Sequence, residues 1–313
     1  MNDRIAVITN LRSRQNRKDP GLAVSLQAQL GPGDVLEVTQ SFDELDRAIV
    51  RLSSLGVRYL AINGGDGTNH RTLTSMIHHW KGDFPRIVLL RGGTMNTVSN
   101  GFGGSGTPRS ILRRLRDLRN RGGPLVEIPR RLLRLQDGER DHYGFIFGTG
   151  VVYNFLEEYY RGGDVTPVTA ATTLSRLIGS TVVGGALYRR LTARASCDIE
   201  TDGTPWRSGD FVGVLAATQP QIGLGFRPFH RAEEHPDFFP LIAIDGAVID
   251  VVRSLPDIRA GRTPVIEGYH ERLVQQARIL ATGMTKYVVD GELYSTNEPL
   301  QVSMGPLLRV MAL

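Results

Sequence analysis

The sequence predicts an α/β N-terminal domain built on a parallel sheet, followed by a mostly β C-terminal domain, a β-sandwich. Three observations carry this. Up to about residue 130, apolar runs of strand length alternate with amphipathic stretches of helical period, the pattern of parallel strands joined by crossover helices. Beyond that point, short strand-like runs follow one another between turn residues. The chain has 313 residues, 41% hydrophobic and 22% charged, enough for two ordinary globular domains.

In order along the chain, RIAVITN (4–10) reads as a buried strand, followed by a polar loop and a helix at GLAVSLQAQL (21–30). DVLEVTQ (34–40) is a second strand, and FDELDRAIVRLSSLG (42–56) a second helix with its terminal glycine in place. VRYLAIN (57–63) and RIVLLR (86–91) are the next strands, each followed by glycines and a helical stretch. Ligands of such sheets sit beyond the carboxyl ends of the strands. Segment 108–123 carries six arginines. It reads as a helix with a solvated basic face ending at Gly122, or as an arm facing an acidic membrane. No aromatic residues are interleaved, so nucleic acid is not an expected partner.

The domain boundary is expected between Gly123 and Pro129, giving domains 1–126 and 127–313. In the second domain LVEIPRRLLRLQ, HYGFIFGTGV, SCDIETDG, DFVGVLAAT, LIAIDGAVIDVVRS and KYVVDGELYS read as strands. One helix interrupts them, at 173–191, with Leu174, Leu177, Ile178, Thr181, Val182 and Gly185 on one side and Arg176, Arg189 and Arg190 toward its ends. It reads as a core helix or as a face for docking on a membrane.

Bulk properties narrow the setting. The single cysteine, Cys197, excludes an intrachain disulfide. The N-terminal apolar run (5–8) is too short for a signal-peptide core, and no window approaches the roughly 18 apolar residues of a spanning helix. A cytoplasmic protein is expected. The net charge is +5, and Lys18, Lys81 and Lys286 are the only lysines. The planar fork of arginine suits oxyanions, which fits anionic membranes, nucleic acid or phosphorylated ligands without choosing among them.

The chemistry concentrates in two glycine loops. YLAINGGDGTNHRTLT (59–74) places Gly64, Gly65, Asp66, Gly67 and Thr68 directly after a buried strand. Glycines there let backbone N–H groups approach an anion with no Cβ in the way. Thr68 or Asn69 is positioned to cap the following helix, whose N-terminus favours negative charge. A carboxylate beside phosphates is repulsive unless it meets a metal ion or a sugar hydroxyl, so Asp66 is expected to contact one of these. The loop is neither a Walker P-loop nor a Gly-x-Gly-x-x-Gly fingerprint. VLLRGGTMNTVSNGFG (88–103) repeats the arrangement with Gly92, Gly93, Thr94 and Asn96. If the two strands are neighbours, both loops open at one sheet edge and form a phosphate cradle. Asp290-Gly291 reads as a hairpin turn. His230, Glu233, His235 and Asp237 match no known metal-site spacing.

These motifs resemble those of the diacylglycerol kinase catalytic-domain family, which includes bacterial lipid kinases and the sphingosine and ceramide kinases. The family carries a Gly-Gly-Asp-Gly-Thr loop and a later Gly-Thr-x-Asn element. VITNLRSRQNR is similar to its nucleotide loop, with Asn10 kept, and Thr39 takes the place of a family threonine that contacts ATP. YVVDGELYSTNEPLQVSMGPLLRVM (287–311) is close to the family's Val-Asp-Gly-Glu segment and its final strands. The resemblance implies an NAD kinase/diacylglycerol kinase-like nucleotide domain and a β-rich lipid-substrate domain whose last segment packs back on the first. It implies an ATP-dependent lipid kinase moving the γ-phosphoryl group to the hydroxyl of a diacylglycerol- or ceramide-like lipid, with Mg²⁺. Asp290 and Glu292 become the catalytic pair, a carboxylate being needed to accept the hydroxyl proton. Asn10, Thr39, Gly64, Gly65, Asp66, Gly67, Thr68, Gly93, Thr94 and Asn96 become the ATP-binding residues, with Asp66 reaching the ATP-bound Mg²⁺. The protein is then peripheral on the inner face of the plasma membrane, touching anionic lipid, with oligomeric state open.

The chain also departs from the family. Asn69-His70-Arg71 stands where x-Asn-Glu is usual, and Met95 and Thr97 flank Asn96 where small or acidic residues are common. In segment 222–244 only Asp237 remains as a counterpart to an acidic residue that holds a structural Mg²⁺ in some members. An NAD kinase-like enzyme and a non-catalytic nucleotide- or lipid-binding regulator are the alternatives. The Gly-Thr-x-Asn element and the Asp-Gly-Glu tail favour the lipid side.

Overall fold

The computed structural model describes residues 3–138, 140–163 and 166–313, without the side chains of 180–183. Two compact units result: one runs to Arg130 and takes up Pro306–Leu313, and the other is Arg131–Gly305.

The first unit contains β1 (Arg4–Asn10), α1 (Arg14–Lys18), α2 (Leu22–Gln27), β2 (Val35–Thr39), α3 (Phe42–Ser53), β3 (Val57–Asn63), α4 (Asp66–His79), β4 (Arg86–Leu89), α5 (Thr97–Gly101) and α6 (Pro108–Arg121). Strand β5 (Glu127–Asp137) leads the chain out of it. The second unit continues with β6 (Arg140–Gly144), β7 (Ile146–Thr149), α7 (Val151–Arg161), α8 (Pro167–Val183) and α9 (Ala186–Leu191). Then come β8 (Ala195–Thr201), β9 (Thr204–Phe211), β10 (Gly213–Ala217), β11 (Phe239–Ile244), α10 (Val248–Arg253) and α11 (Leu255–Arg259). The run closes with β12 (Tyr269–Val274), β13 (Gln276–Ala281), β14 (Thr285–Val289) and β15 (Glu292–Thr296), and β16 (Leu300–Met311) carries the chain back.

In the first unit the strands run in the order β2-β1-β3-β4 and then the end of β16, all parallel. The strands are apolar because both faces are covered. Ile5, Val7, Tyr59, Ala61, Val88 and Leu90 meet Leu22 and Leu26 of α2 and Ile111, Leu112 and Leu115 of α6 on one face. Helices α3 and α4 pack against each other, burying Leu45, Ala48, Ile49, Leu52, Leu73 and Met76. The capping chemistry is local: the Ser41 hydroxyl accepts from the Glu44 N–H at the start of α3. At α6, Thr107 and Ser110 form a reciprocal capping box, and Gly122 ends the helix in the left-handed region.

The second unit is an antiparallel sandwich. One sheet runs from the start of β16 through β13 and β8 to β9, with β5 beside β16 and β6 beside β5. The other is β12-β11-β10-β7-β14-β15. Alternating residues of both sheets meet in one core, among them Leu133, Phe147, Ile199, Leu241, Tyr287 and Leu300. Cys197 lies in this core, where burial pushes its thiol up to about 12. The expected class, a parallel α/β domain plus a mostly β domain, is the observed one.

The second unit also corrects the reading. HYGFIFGTGV was expected to be strand through Val151, but Val151 opens α7. Aromatic and β-branched residues in VVYNFLEEYYR imitate a strand, while the pairs that Glu157 and Glu158 make with Arg161, at i,i+4 and i,i+3, have helical spacing. Likewise the VIDVVR part of LIAIDGAVIDVVRS is α10, not strand. The single helix expected over 173–191 is two, α8 and α9, broken where Gly184 and Gly185 take φ of 75° and 95°. Its buried stripe is Ala170, Thr173 and Leu177, and Ile178 is exposed. The side chains of Thr181 and Val182 lie outside the described residues.

The packing gives a first test. Leu60→Ala, at a fully buried position of β3, is expected to lose about 2–5 kcal/mol of stability. Ser41→Ala, which removes only the α3 cap, is expected to lose about 0.5–2 kcal/mol. Urea denaturation of the two variants checks the order.

Candidate active site

The strand order β2-β1-β3-β4 sets the place. The chain leaves β1 toward β2 and leaves β3 toward β4 on the other side. The loops after β1 and β3 therefore diverge from adjacent strand ends, and such a switch point opens a crevice at the carboxyl edge of a sheet.

Around this crevice the two glycine loops touch. A Cβ added at Gly65 would lie 3.1 Å from the Cα of Gly93, and one at Gly93 would run into the backbone of Gly65. A Cβ at Gly92 would meet the Gly64 nitrogen at 2.8 Å and strike the Asn63 side chain. At Gly64 it would strike Thr68. None of these four glycines has positive φ. Their need is for space: backbone packs on backbone.

Helix α4 starts earlier than its sequence suggested. Gly65 is its N-cap, with φ −90° and ψ −172°, and Asp66 is its first residue. Neither Thr68 nor Asn69 caps it. The Thr68 hydroxyl instead accepts from Asn10 Nδ2 at 3.0 Å, and Asn69 and His70 are buried. The first amides of a helix have no intrahelical acceptor, so α4 presents the N–H groups of its opening turn beside the glycines, where an anion is favoured.

Asp66 has a defined partner. Its Oδ2 accepts the Thr97 N–H at 2.9 Å and its Oδ1 the Val98 N–H at 3.0 Å. Burial raises its pKa, opposed by those two donors and by the charge of Arg91. The carboxylate thus closes the N-terminus of α5 and ties the second loop to the first. Arg91 and Asn96, both non-glycine residues in the left-handed region (φ 58° and 49°), shape that second loop. The Asn96 Oδ1 accepts from the Gly93 N–H at 3.1 Å. The Arg91 guanidinium donates to the Asn100 side chain and to the Gly104 carbonyl.

The loop after β1 joins all of this. Thr39 is buried at the end of β2, and its carbonyl accepts the Leu11 N–H at 3.2 Å. Arg14 reaches the Thr94 hydroxyl at 3.5 Å. Asn16, which sequence reasoning missed, donates to the Asn10 carbonyl at 2.6 Å and accepts from Asn63 Nδ2 at 3.0 Å. Asn10, Gly64, Gly65, Asp66, Gly67, Thr68, Gly93, Thr94 and Asn96 thus stand in one connected group, with Thr39 behind its first loop. Arg14, Asn16, Asn63 and Arg91 are its unforeseen members: the first two lie in the polar stretch after β1, and Asn63 and Arg91 stand directly before the two glycine pairs.

Asp290 and Glu292 lie in the second unit. Asp290 and Gly291 form the two-residue turn between β14 and β15, with φ of 47° and 91°, as a tight hairpin requires. The Asp290 carboxylate is nearly buried. It accepts the Phe145 N–H at 3.0 and 3.1 Å and the Ile146 N–H at 2.9 Å. Glu292 opens β15 and is half-buried.

Asp237 is ion-paired with Arg131 at 2.9 Å. Among the described residues no group of three His, Cys, Asp or Glu side chains is arranged to hold a metal. A lone carboxylate already neutralised by a guanidinium does not fit a structural Mg²⁺, so the expectation for Asp237 fails on the donor set.

The loop contact predicts opposite signs for two substitutions. Gly93→Ala, which forces two backbones apart, is expected to lose about 1–3 kcal/mol. Gly179→Ala, helical with open space around it, is expected to gain about 0.5–1 kcal/mol. Urea denaturation reads both.

Comparison with known proteins agrees with this geometry. Residues 4–127 match the family model of the diacylglycerol kinase catalytic domain. A search of the curated proteins found no match. Among solved structures, a diacylglycerol kinase from Bacillus anthracis str. Sterne is 13% identical with a TM-score of 0.65, covering 99% of this chain and 96% of that one. Two more from the same organism, provisionally named diacylglycerol kinases, are 15% and 14% identical, with TM-scores of 0.71 and 0.69. They cover 99% of this chain and 96% and 97% of their own. At such identities the likeness is one of fold. The resemblance read from the two glycine loops holds for the segment that contains them: residues 4–127 match the model of the diacylglycerol kinase catalytic domain.

Proposed function

We propose that the protein is an ATP-dependent lipid kinase that transfers the γ-phosphoryl group to the hydroxyl of a diacylglycerol- or ceramide-like lipid. The observation that carries this reading is the contact between the two glycine loops beside the opening turn of α4, within the segment that matches the kinase domain.

In this reading the amides at the start of α4 and the glycine edges receive the phosphates of ATP. Gly64, Gly65, Gly67, Thr68, Gly93 and Thr94 line that approach. Asp66 and Asn96 hold the two loops in register, which leaves Asp66 a role in positioning rather than in direct repulsion of phosphate. The nucleotide would enter as its Mg²⁺ complex, which would supply charge neutralisation for the transferred group. The acceptor hydroxyl oxygen forms a bond to the γ-phosphorus as the bond to the β–γ bridging oxygen breaks and ADP leaves. The hydroxyl proton passes to a carboxylate. Asp290 is assigned that proton, because its oxygens are fixed by the amides of Phe145 and Ile146. Glu292 is assigned to the same catalytic pair.

Contact with anionic membrane is assigned to α6. Of its six arginines, Arg109, Arg116 and Arg119 are tied to Asp19, Asp117 and Asp34. Arg113, Arg114 and Arg121 are exposed, as a surface that meets acidic headgroups needs. Among the described residues no helix is long and apolar enough to cross a membrane. The contact proposed is peripheral, at the inner face of the plasma membrane.

Transfer of label from γ-labelled ATP to diacylglycerol, monoacylglycerol, sphingosine, ceramide or NAD tests the reading. Label is expected on a lipid, to stop when Mg²⁺ is chelated, and to fall about 10²–10⁴-fold in Asp290→Asn. Label on NAD alone would make the protein an NAD kinase-like enzyme. ATP binding without transfer to any acceptor would make it a regulator.

A further inference from the structure

We infer that Tyr160, on α7, is a positioning residue for the Asp290–Gly291 turn and, through that turn, for both carboxylates of the proposed catalytic pair. The inference rests on the reading of Asp290 and Glu292 given above and names a residue outside both motifs.

The turn is held from two sides. The Asp290 N–H donates to the Ile146 carbonyl at 3.0 Å, and the Asp290 carboxylate accepts from the Phe145 and Ile146 amides. Both contacts come from the β6–β7 stretch and belong to Asp290 itself. The other side is separate: the Tyr160 hydroxyl donates to the Gly291 carbonyl at 2.7 Å across 131 residues of sequence. The Gly291 carbonyl belongs to the peptide that carries the Glu292 nitrogen. Fixing that oxygen fixes the plane of the 291–292 peptide, and so the direction in which the Glu292 side chain leaves β15.

A clamp matters here because both turn residues are left-handed. Asp290 is a non-glycine residue at φ 47°, a region that aspartate tolerates in a two-residue hairpin turn and that the surrounding contacts hold in place. Gly291 follows at φ 91° and keeps its freedom only because no side chain is present. A Cβ there would stand 3.3 Å from the Tyr160 hydroxyl. Helix α7 is itself docked beside the hairpin by other contacts: Glu157 lies 3.7 Å from Lys286, whose ammonium sits 5.4 Å from the centre of the Tyr153 ring. Tyr160 is therefore not needed to attach the helix. Its hydroxyl has a more specific partner, the backbone of the turn.

The test uses the full chain and three variants, Tyr160→Phe, Glu157→Gln and Asp290→Asn, each assayed for kcat, KM for ATP and Tm with the acceptor the unaltered protein uses. Tyr160→Phe is expected to lower kcat roughly 10–100-fold, the scale of a misplaced reacting group, with KM for ATP and Tm unchanged. Glu157→Gln loosens the same helix without touching the turn and is expected to keep its kcat. Full kcat in Tyr160→Phe beside an inactive Asp290→Asn overturns the inference alone. Parallel losses of kcat and Tm in Tyr160→Phe and Glu157→Gln overturn it too, since they describe a helix that is merely loosened. Undiminished transfer by Asp290→Asn, or none by the unaltered protein, overturns the reading of the catalytic pair and the inference with it.

Discussion

Two hydrogen bonds that the Asp66 carboxylate accepts from the Thr97 and Val98 amides organise the carboxyl edge of the N-terminal unit's sheet. They join the start of α4 to the start of α5, and the glycine backbones between them close to contact. Helix N-termini carry partial positive charge. One of these two is neutralised from within the protein by Asp66, which leaves the opening turn of α4 as the end available to an external anion. The carboxylate that looked out of place beside phosphates is spent on holding the cradle together.

The hairpin in the second unit follows the same logic by different means. Asp290 sits in the left-handed region at a two-residue turn, and its carboxylate accepts hydrogen bonds from main-chain amides. Rigid elements supply the donors: the β6–β7 stretch for Asp290 and α7 for Gly291. In the proposed mechanism the group that receives the proton gains from such fixing, because orientation is set before the substrate arrives.

Much of this was legible in the sequence, for identifiable reasons. The parallel strands are apolar on both faces and are punctuated by glycines, so β1, β3 and their loops stand out at RIAVITN and VRYLAIN. The Asp-Gly pair at 290–291 announces its turn because few other dipeptides tolerate two left-handed residues in succession. What was not legible depends on tertiary contact. The strand-like composition of VVYNFLEEYYR hid α7, and with it Tyr160. The glycines were visible, but not that they serve each other: Gly65 and Gly93 are 28 positions apart in sequence, and only the sheet order brings them together. The asparagines at 10, 16 and 63 read as an ordinary polar loop and strand end, yet they link the loops after β1 and β3 through side-chain amides. The expected metal role of Asp237 came from position alone, and Arg131 occupies that carboxylate.

The central claim is that phosphate is received by the backbone at the start of α4 and along the two glycine loops. Backbone amide chemical shifts followed by NMR during titration with ATP and Mg²⁺ test it most directly. The account predicts saturable shifts of the amides at 64–68 and 92–98, with smaller ones at 10–14 through the Asn10–Thr68 link. Saturable ATP binding that leaves the amides at 64–68 unmoved would contradict it.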